Sequence, residues 1–135
     1  MRLSWVAGAA TLLLCGVAHA QQPASPPANA ETTIGVGIIC NTPDQAKHFI
    51  ALQANGSRPR EAMDAVNAEA NDARACGVAT IAFVRDRTVD TETVHDKLVE
   101  VVRINVIAGY NGAVWRPVGN MTQYAVMAAE GGESI

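Results

Sequence analysis

A short segment near the N-terminus, Thr33–Gln45, constrains the fold more than any other stretch of the chain. Its apolar residues form a run of strand length that is bounded by glycines and ends at Cys40. Thr42 then has the position of a helix N-cap, Pro43 that of the first helical residue, and Gln45 completes a capping box. The segment therefore predicts a strand that passes directly into a capped helix, and we expect the domain to be organised around it.

The first twenty residues have the pattern of a secretory signal peptide. They combine a basic start at Arg2, an apolar segment over Trp5–Val17 and the small-residue pattern Ala18–Ala20 before Gln21. An uncleaved anchor is the alternative, but about a dozen apolar residues fall short of the roughly 20 that span a bilayer. We therefore expect residues 1–20 to be removed, leaving a periplasmic or secreted protein with no membrane span.

The composition divides the remaining chain into one domain with two polar ends. Residues 21–32 are rich in Pro, Ala, Ser and Gln and predict a disordered linker. Residues 130–135 predict a flexible tail. The segment between them, residues 33–129, has the length of a single small domain.

The charge pattern argues against nucleic acid as a partner. The formal net charge is −3, and the ten Lys and Arg residues are scattered along the chain. A phosphate backbone or an anionic membrane surface is bound by clustered basic residues. The expected partner is therefore a protein or a small molecule of unknown identity.

Two cysteines remain once Cys15 leaves with the signal peptide, namely Cys40 and Cys76. In an oxidising compartment a disulfide is the expected state of such a pair. The alternative is a redox or nucleophilic pair, which favours closer spacing or a neighbouring base. The sequence indicates neither feature, so it predicts a structural disulfide.

The apolar periodicity indicates a helix pair followed by strands. Helical spacing continues from Thr42 to Asn55, and a second, alanine-lined helix begins near Ser57–Pro59 and continues to about Ala73. The strand patterns that follow are Val78–Val84, Leu98–Ala108 and Met121–Ala128, separated by a charged loop or ragged hairpin over 85–97 and by a two-residue turn at Asn111-Gly112. The predicted fold is α+β: an N-terminal strand, a helix pair, then three to four antiparallel strands, with the helices on one sheet face and one disulfide.

Few side chains have the spacing of a chemical site. His48 and His95 lack a second ligand at metal-binding spacing, and a site made by His95 with Asp90, Glu92 or Asp96 is only a weak alternative. Ser57 has no strand-turn-helix context of a nucleophile. We therefore predict no catalytic residue, no metal and no cofactor.

The large aromatic residues near the C-terminus suggest an interaction surface. Tyr110 and Trp115 flank the predicted last hairpin, and Trp, Tyr and Arg supply most of the energetically dominant contacts of interfaces. If these rings are buried, they instead cap the core. The predicted surface combines charged and aromatic residues: Tyr110, Trp115, Arg116, Arg85 and Arg87.

The segments Ile39–Gln45 and Cys76–Val84 resemble those of small exported proteins of unknown function from alphaproteobacteria. The resemblance implies a periplasmic or secreted product and supports pairing Cys40 with Cys76, but it implies no catalytic residues. The order of elements is also similar to that of β-lactamase-inhibitor-type domains, which suggests a binding role by analogy. The function predicted from sequence is an exported non-enzymatic binding or envelope-associated protein. The alternative is a small periplasmic hydrolase or metal-binding protein.

Overall fold

The computed structural model describes residues 31–129, and this part of the chain contains two helices and four strands. The predicted signal peptide, the tail and nearly all of the predicted linker lie outside the described residues. The elements in chain order are β1 (Thr32–Cys40), α1 (Pro43–Ala54), α2 (Pro59–Glu69), β2 (Cys76–Val94), β3 (Lys97–Tyr110) and β4 (Trp115–Ala128).

The four described strands pair antiparallel in a closed ring in the order β1, β2, β3, β4. β1 pairs with β2 along its whole length, from Thr32 opposite Val84 to Cys40 opposite Cys76. The ring closes through only three pairs between β1 and β4, from Ile38 opposite Val126 to Cys40 opposite Tyr124. The seam between the first and the last strand is therefore the shortest in the ring.

Alternation along the strands divides the core into two clusters. The inner face of the ring contains Ile81, Phe83, Val102, Ile104, Val106 and Ala125. The outer face contributes Cys40, Cys76, Val99 and Val101 to a second cluster, which the helices cover with Ala46, Phe49, Ile50, Ala62 and Val66. Both clusters consist of apolar side chains whose removal from water is the main favourable contribution to folding. The predicted α+β fold, with its helix pair packed against the sheet, is confirmed.

Local sequence signals fix how the helices meet the sheet. The capping box at the start of α1 is present: Gln45 N donates to Thr42 Oγ1 at 3.2 Å, and Thr42 N donates to Gln45 Oε1 at 3.1 Å. On α2, the amide of Asn67 binds both backbone groups of Cys76, accepting from its N–H at 2.7 Å and donating to its carbonyl at 3.0 Å. Asn67 therefore attaches the helix pair to the first residue of β2.

The predicted disulfide is also confirmed. Cys40 and Cys76 are bonded, and their Cα atoms are 4.1 Å apart because the two residues are directly opposite in the β1–β2 ladder. Both side chains are buried beneath the helices. The bond thus joins the end of β1 to the beginning of β2.

Several predicted boundaries were wrong. β1 begins at Thr32, inside the predicted linker, and α2 ends at Glu69 rather than near Ala73. Of the two alternatives for residues 85–97, the loop was wrong and the ragged hairpin agrees with the structure. β2 continues to Val94, with shifts in register after Arg85 and Thr88, and turns tightly through His95 and Asp96 into β3. These shifts are bulges, which break the simple alternation that marks a strand in sequence.

The predicted two-residue turn at Asn111-Gly112 was wrong as well. Residues 111–114 form a four-residue connection in which only Gly112 has a positive φ, of 95°. The side chain of Asn111 accepts from the N–H groups of Ala113 and Val114 at 3.0 and 2.9 Å. An Asx-type turn therefore replaces the expected tight hairpin turn, because Asn can bond its own following backbone.

Candidate functional site

An open cleft lies where β4 separates from β1. Past the pair of Ile38 with Val126, β4 stays on β3: Ala128 is opposite Val99, and Ala129 N donates to the carbonyl of Leu98 at 3.1 Å. The last residues of β4 are therefore held by β3 while the first half of β1 is held by β2. The two strands diverge, and the space between them is not filled by side chains.

The cleft has the size and character of a small-ligand site. Its volume is about 530 Å³, within the roughly 300–1,000 Å³ that is typical of ligand pockets. Gly35–Ile39 forms one wall and Ala125–Ala129 the other, Ile81 and Phe83 line it from the inner face, and Phe49 lines it from α1. Such a mostly apolar lining favours a ligand that gains by leaving water.

Small residues create the room in this cleft. A Cβ atom added at Gly35 would lie 3.7 Å from the ring of Phe83, whereas one added at Gly37 would meet no atom within 4 Å. On the facing wall, Ala125 and Ala128 project only methyl groups. The space next to Gly37 therefore exists because this position of β1 has no side chain.

The lining is almost free of polar side chains. Among the described residues that line the cleft, Gln53, near the end of α1, has the one polar side chain, and none is charged. The backbone carbonyl of Gln53 lies 3.1 Å from His95 Nε2, a contact that joins α1 to the β2–β3 turn. A charged ligand would lose its hydration here without meeting an opposite charge among these residues, so the lining favours a neutral one.

Backbone groups supply additional polarity along one wall. The 4.1 Å Cα separation of Cys40 and Cys76 identifies them as a closely spaced pair, which exchanges no backbone hydrogen bonds. By alternation, Ile38, Val36 and Ile34 also direct their N–H and C=O groups away from β2. The backbone groups of Ile38 pair with β4. Within residues 31–129, neither Ile34 nor Val36 has a ladder partner on β4.

The structure brings together three of the five residues predicted as an interaction surface. Tyr110 and Trp115 are paired across the β3–β4 hairpin with ring centroids 5.4 Å apart, and Arg116 follows in an exposed position. Tyr110 retains 41% of its surface accessible, and Trp115 is half-buried. These rings therefore form a surface at one end of the ring of strands.

The other two predicted residues lie further along β2. Arg85 lies four residues along β2 from Ile81, which is opposite Gly109 near the hairpin end. At the usual rise of a strand, Arg85 is therefore roughly 13 Å from that end. Its guanidinium donates to Thr88 Oγ1 at 2.9 Å and to Glu100 Oε2 at 3.0 Å, whereas Arg87 is exposed beside Arg103. Arg85 is thus engaged in a contact between β2 and β3.

The histidines have structural partners. His48 Nδ1 lies 2.9 Å from Glu69 Oε2, joining α1 to α2, and His95 contacts α1 as described above. Among residues 31–129, no group of three or more His, Cys, Asp or Glu side chains has a metal-binding arrangement.

The sequence-based interpretation did not identify the cleft. Its one signal was the alternation of Gly35 and Gly37 within an apolar strand, which indicated close approach of another backbone. In the structure the same glycines instead line the open space of the cleft. The facing wall, near Ala125, could not have been assigned, because it depends on where β4 leaves β1.

Comparison of the chain with protein-family models, with curated proteins and with solved structures found no match. Within the described part of the chain, no helix is both long and apolar enough to cross a membrane. The disulfide is consistent with an oxidising compartment. Fold and site together define the class: a small disulfide-linked α+β domain, with a ring of antiparallel strands and an apolar cleft at its seam.

Proposed function

We propose that this chain is an exported, non-enzymatic binding protein whose ligand is a neutral, apolar small molecule held in the cleft between β1 and β4. The observation that carries the proposal is the cleft itself, a space of about 530 Å³ lined by glycine, alanine and large apolar side chains. An open cleft of this kind exposes apolar surface to water, and a neutral apolar ligand would cover that surface.

Export is the second element of the proposal. It is supported by the signal-peptide pattern of residues 1–20 and by the buried bond between Cys40 and Cys76. A periplasmic or secreted binding protein meets apolar molecules in an aqueous space where they need a carrier or a receptor. The cleft provides the apolar lining that such a molecule needs.

A glycine substitution tests the cleft directly. Gly37→Phe places a ring in the open space beside β1, and we expect it to weaken binding of the neutral apolar fluorophore N-phenyl-1-naphthylamine by about tenfold or more, since a ligand would lose most of its burial. Fluorescence titration measures the affinity.

Gly109→Phe is the matched control. Gly109 also has no atom within 4 Å of an added Cβ, but it lies on β3 and does not line the cleft. We expect this variant to bind the probe like the parent. Absence of saturable binding by the parent, or equal affinity in a folded Gly37→Phe variant, would refute the proposed ligand site.

The hairpin surface of Tyr110, Trp115 and Arg116 is proposed as a separate contact for a macromolecular partner. The paired, partly exposed rings support this assignment, because aromatic residues and Arg dominate interface energetics. We expect the double variant Trp115→Ala/Arg116→Ala to lose partner capture from periplasmic extract while its far-UV spectrum and melting temperature stay close to those of the parent. Retained capture by a folded double variant would contradict the assignment.

A further inference from the structure

The free edge of β1 has a surface that fits a copy of itself. Ile34 and Val36 are 56% and 71% exposed, although both are large apolar residues in the middle of a strand. Their side chains share the outer face of the sheet, and their N–H and C=O groups point away from β2. Within residues 31–129 these backbone groups have no ladder partner, so this edge presents them beside an apolar surface.

In the part of the chain that the structure describes, this edge also lacks the features by which proteins prevent strand pairing. Edge strands are normally protected by a charged residue, a proline, a bulge or a covering element. The segment Thr33–Gly37 contains no charge and no proline, and its register with β2 is uninterrupted. Nothing in its sequence opposes the approach of another uncharged strand.

We propose that two copies of this chain associate through β1, in an antiparallel ladder whose two-fold axis passes at Gly35. In this register Ile34 of one copy is opposite Val36 of the other. Both residues direct their backbone groups toward the partner, so they exchange N–H···O bonds as a hydrogen-bonded pair, and the two-fold axis repeats the pair.

The same register places Gly35 on the axis. Gly35 faces Gly35 of the second copy as a closely spaced pair, with Cα atoms about 4.5 Å apart. On the outer face, each Ile34 packs against a Val36, which is a favourable cross-strand combination. Continuation of the ladder beyond these residues stops at Ile38, because that residue already pairs with β4.

The interface is a single short strand pair, so the dimer is weak. Contacts below about 1,200 Å² of buried surface belong to transient complexes. This proposal does not rest on the ligand of the cleft: it depends on the side chains of the outer face and on the edge of β1, whereas the ligand proposal depends on the space beside Gly37. A strand added at this edge would nevertheless narrow the mouth of the cleft.

Charge substitutions at the two facing positions test both the association and its register. Sedimentation equilibrium from about 1 µM to 1 mM is the measurement, a range that covers weak association. We expect the parent to show a reversible monomer–dimer equilibrium. In Ile34→Glu/Val36→Glu, like charges lie opposite each other, and we expect the dissociation constant to rise by about tenfold or more.

The complementary variant is Ile34→Glu/Val36→Lys, in which each Glu faces a Lys of the second copy. We expect its dissociation constant to lie within about threefold of the parent's, because opposite charges replace the apolar pairs. Leu98→Glu is the control, because Leu98 is also an exposed apolar residue, 51% accessible, and it lies on β3 away from this edge. We expect this variant to dimerise like the parent. Circular dichroism confirms that each variant is folded.

Three results would contradict the proposal. A parent that is monomeric throughout the concentration range would exclude association through β1. Equal loss of dimer in the Glu/Glu and Glu/Lys variants would refute the register, and loss in Leu98→Glu would place the interface elsewhere. None of these results depends on binding of the fluorophore, so the ligand proposal stands or falls separately.

Discussion

Removal of the disulfide is expected to cost about 4 kcal/mol of the free energy of unfolding, because the bond closes a loop between residues 36 apart in sequence. The double variant Cys40→Ala/Cys76→Ala avoids leaving an unpaired thiol. For a domain of this size we expect its melting temperature to fall by roughly 15 °C or more. Differential scanning calorimetry under non-reducing conditions measures the change.

The position of the disulfide explains the size of the expected loss of stability. Cys40 is the last residue of β1 and Cys76 the first of β2, so the bond holds the two strands in register from one end. Total stabilities of small domains are about 5–15 kcal/mol, so the expected loss is a large fraction of the whole. Treatment of the parent with a reductant is the control and should lower its melting temperature to a similar extent. A fall of less than about 5 °C would show that the strands are held mainly by packing.

Phe49→Ala is expected to destabilise the domain by about 3–5 kcal/mol. Phe49 is 1% exposed and belongs to the cluster in which α1 and α2 cover the outer face of the sheet around the disulfide. Truncation leaves a cavity that the surrounding side chains cannot fill, because α1 is fixed by its capping box and by the contact of Gln53 with His95. Urea denaturation followed by circular dichroism provides the free energy.

Leu98→Ala is the matched control for this truncation. Leu98 is a large apolar residue that is 51% exposed, and its contact with Ala129 is made by the backbone carbonyl, which the substitution retains. We expect its cost to stay within about 0.5 kcal/mol, as for most surface substitutions. Equal losses in the two variants would mean that the helix pair contributes little to the stability of the sheet.

Features encoded in short segments were predictable from the sequence. Thr42, Pro43 and Gln45 form a capping box by spacing alone, and α1 begins where that spacing places it. The bond between Cys40 and Cys76 followed from their being the two cysteines beyond the signal-peptide pattern. The class of the fold followed from the order of helical and strand periodicities.

The features that were missed depend on contacts between distant segments or on unusual turns. His95 and Asp96 adopt positive φ values of 49° and 65° in the β2–β3 turn, a conformation for which Asn-Gly is the usual sequence. The charged residues 85–92 concealed a strand because its bulges interrupt the alternation. The cleft depends on Ala129 bonding to β3 instead of β4 continuing along β1, and no local pattern specifies that choice.

The short seam between β1 and β4 has a consequence for the order in which the chain can fold. Every residue that β1 pairs with lies at least 36 positions later in the chain, and its β4 partners lie close to the C-terminal end of the described residues. Non-local pairings of this kind are slow to form, because chain entropy is lost before any contact is gained. β1, the first of the described strands to be synthesised, is therefore the last to be completed. During that interval an uncharged, apolar strand has neither of its neighbours, which makes the time until the ring closes the period of greatest exposure to aggregation.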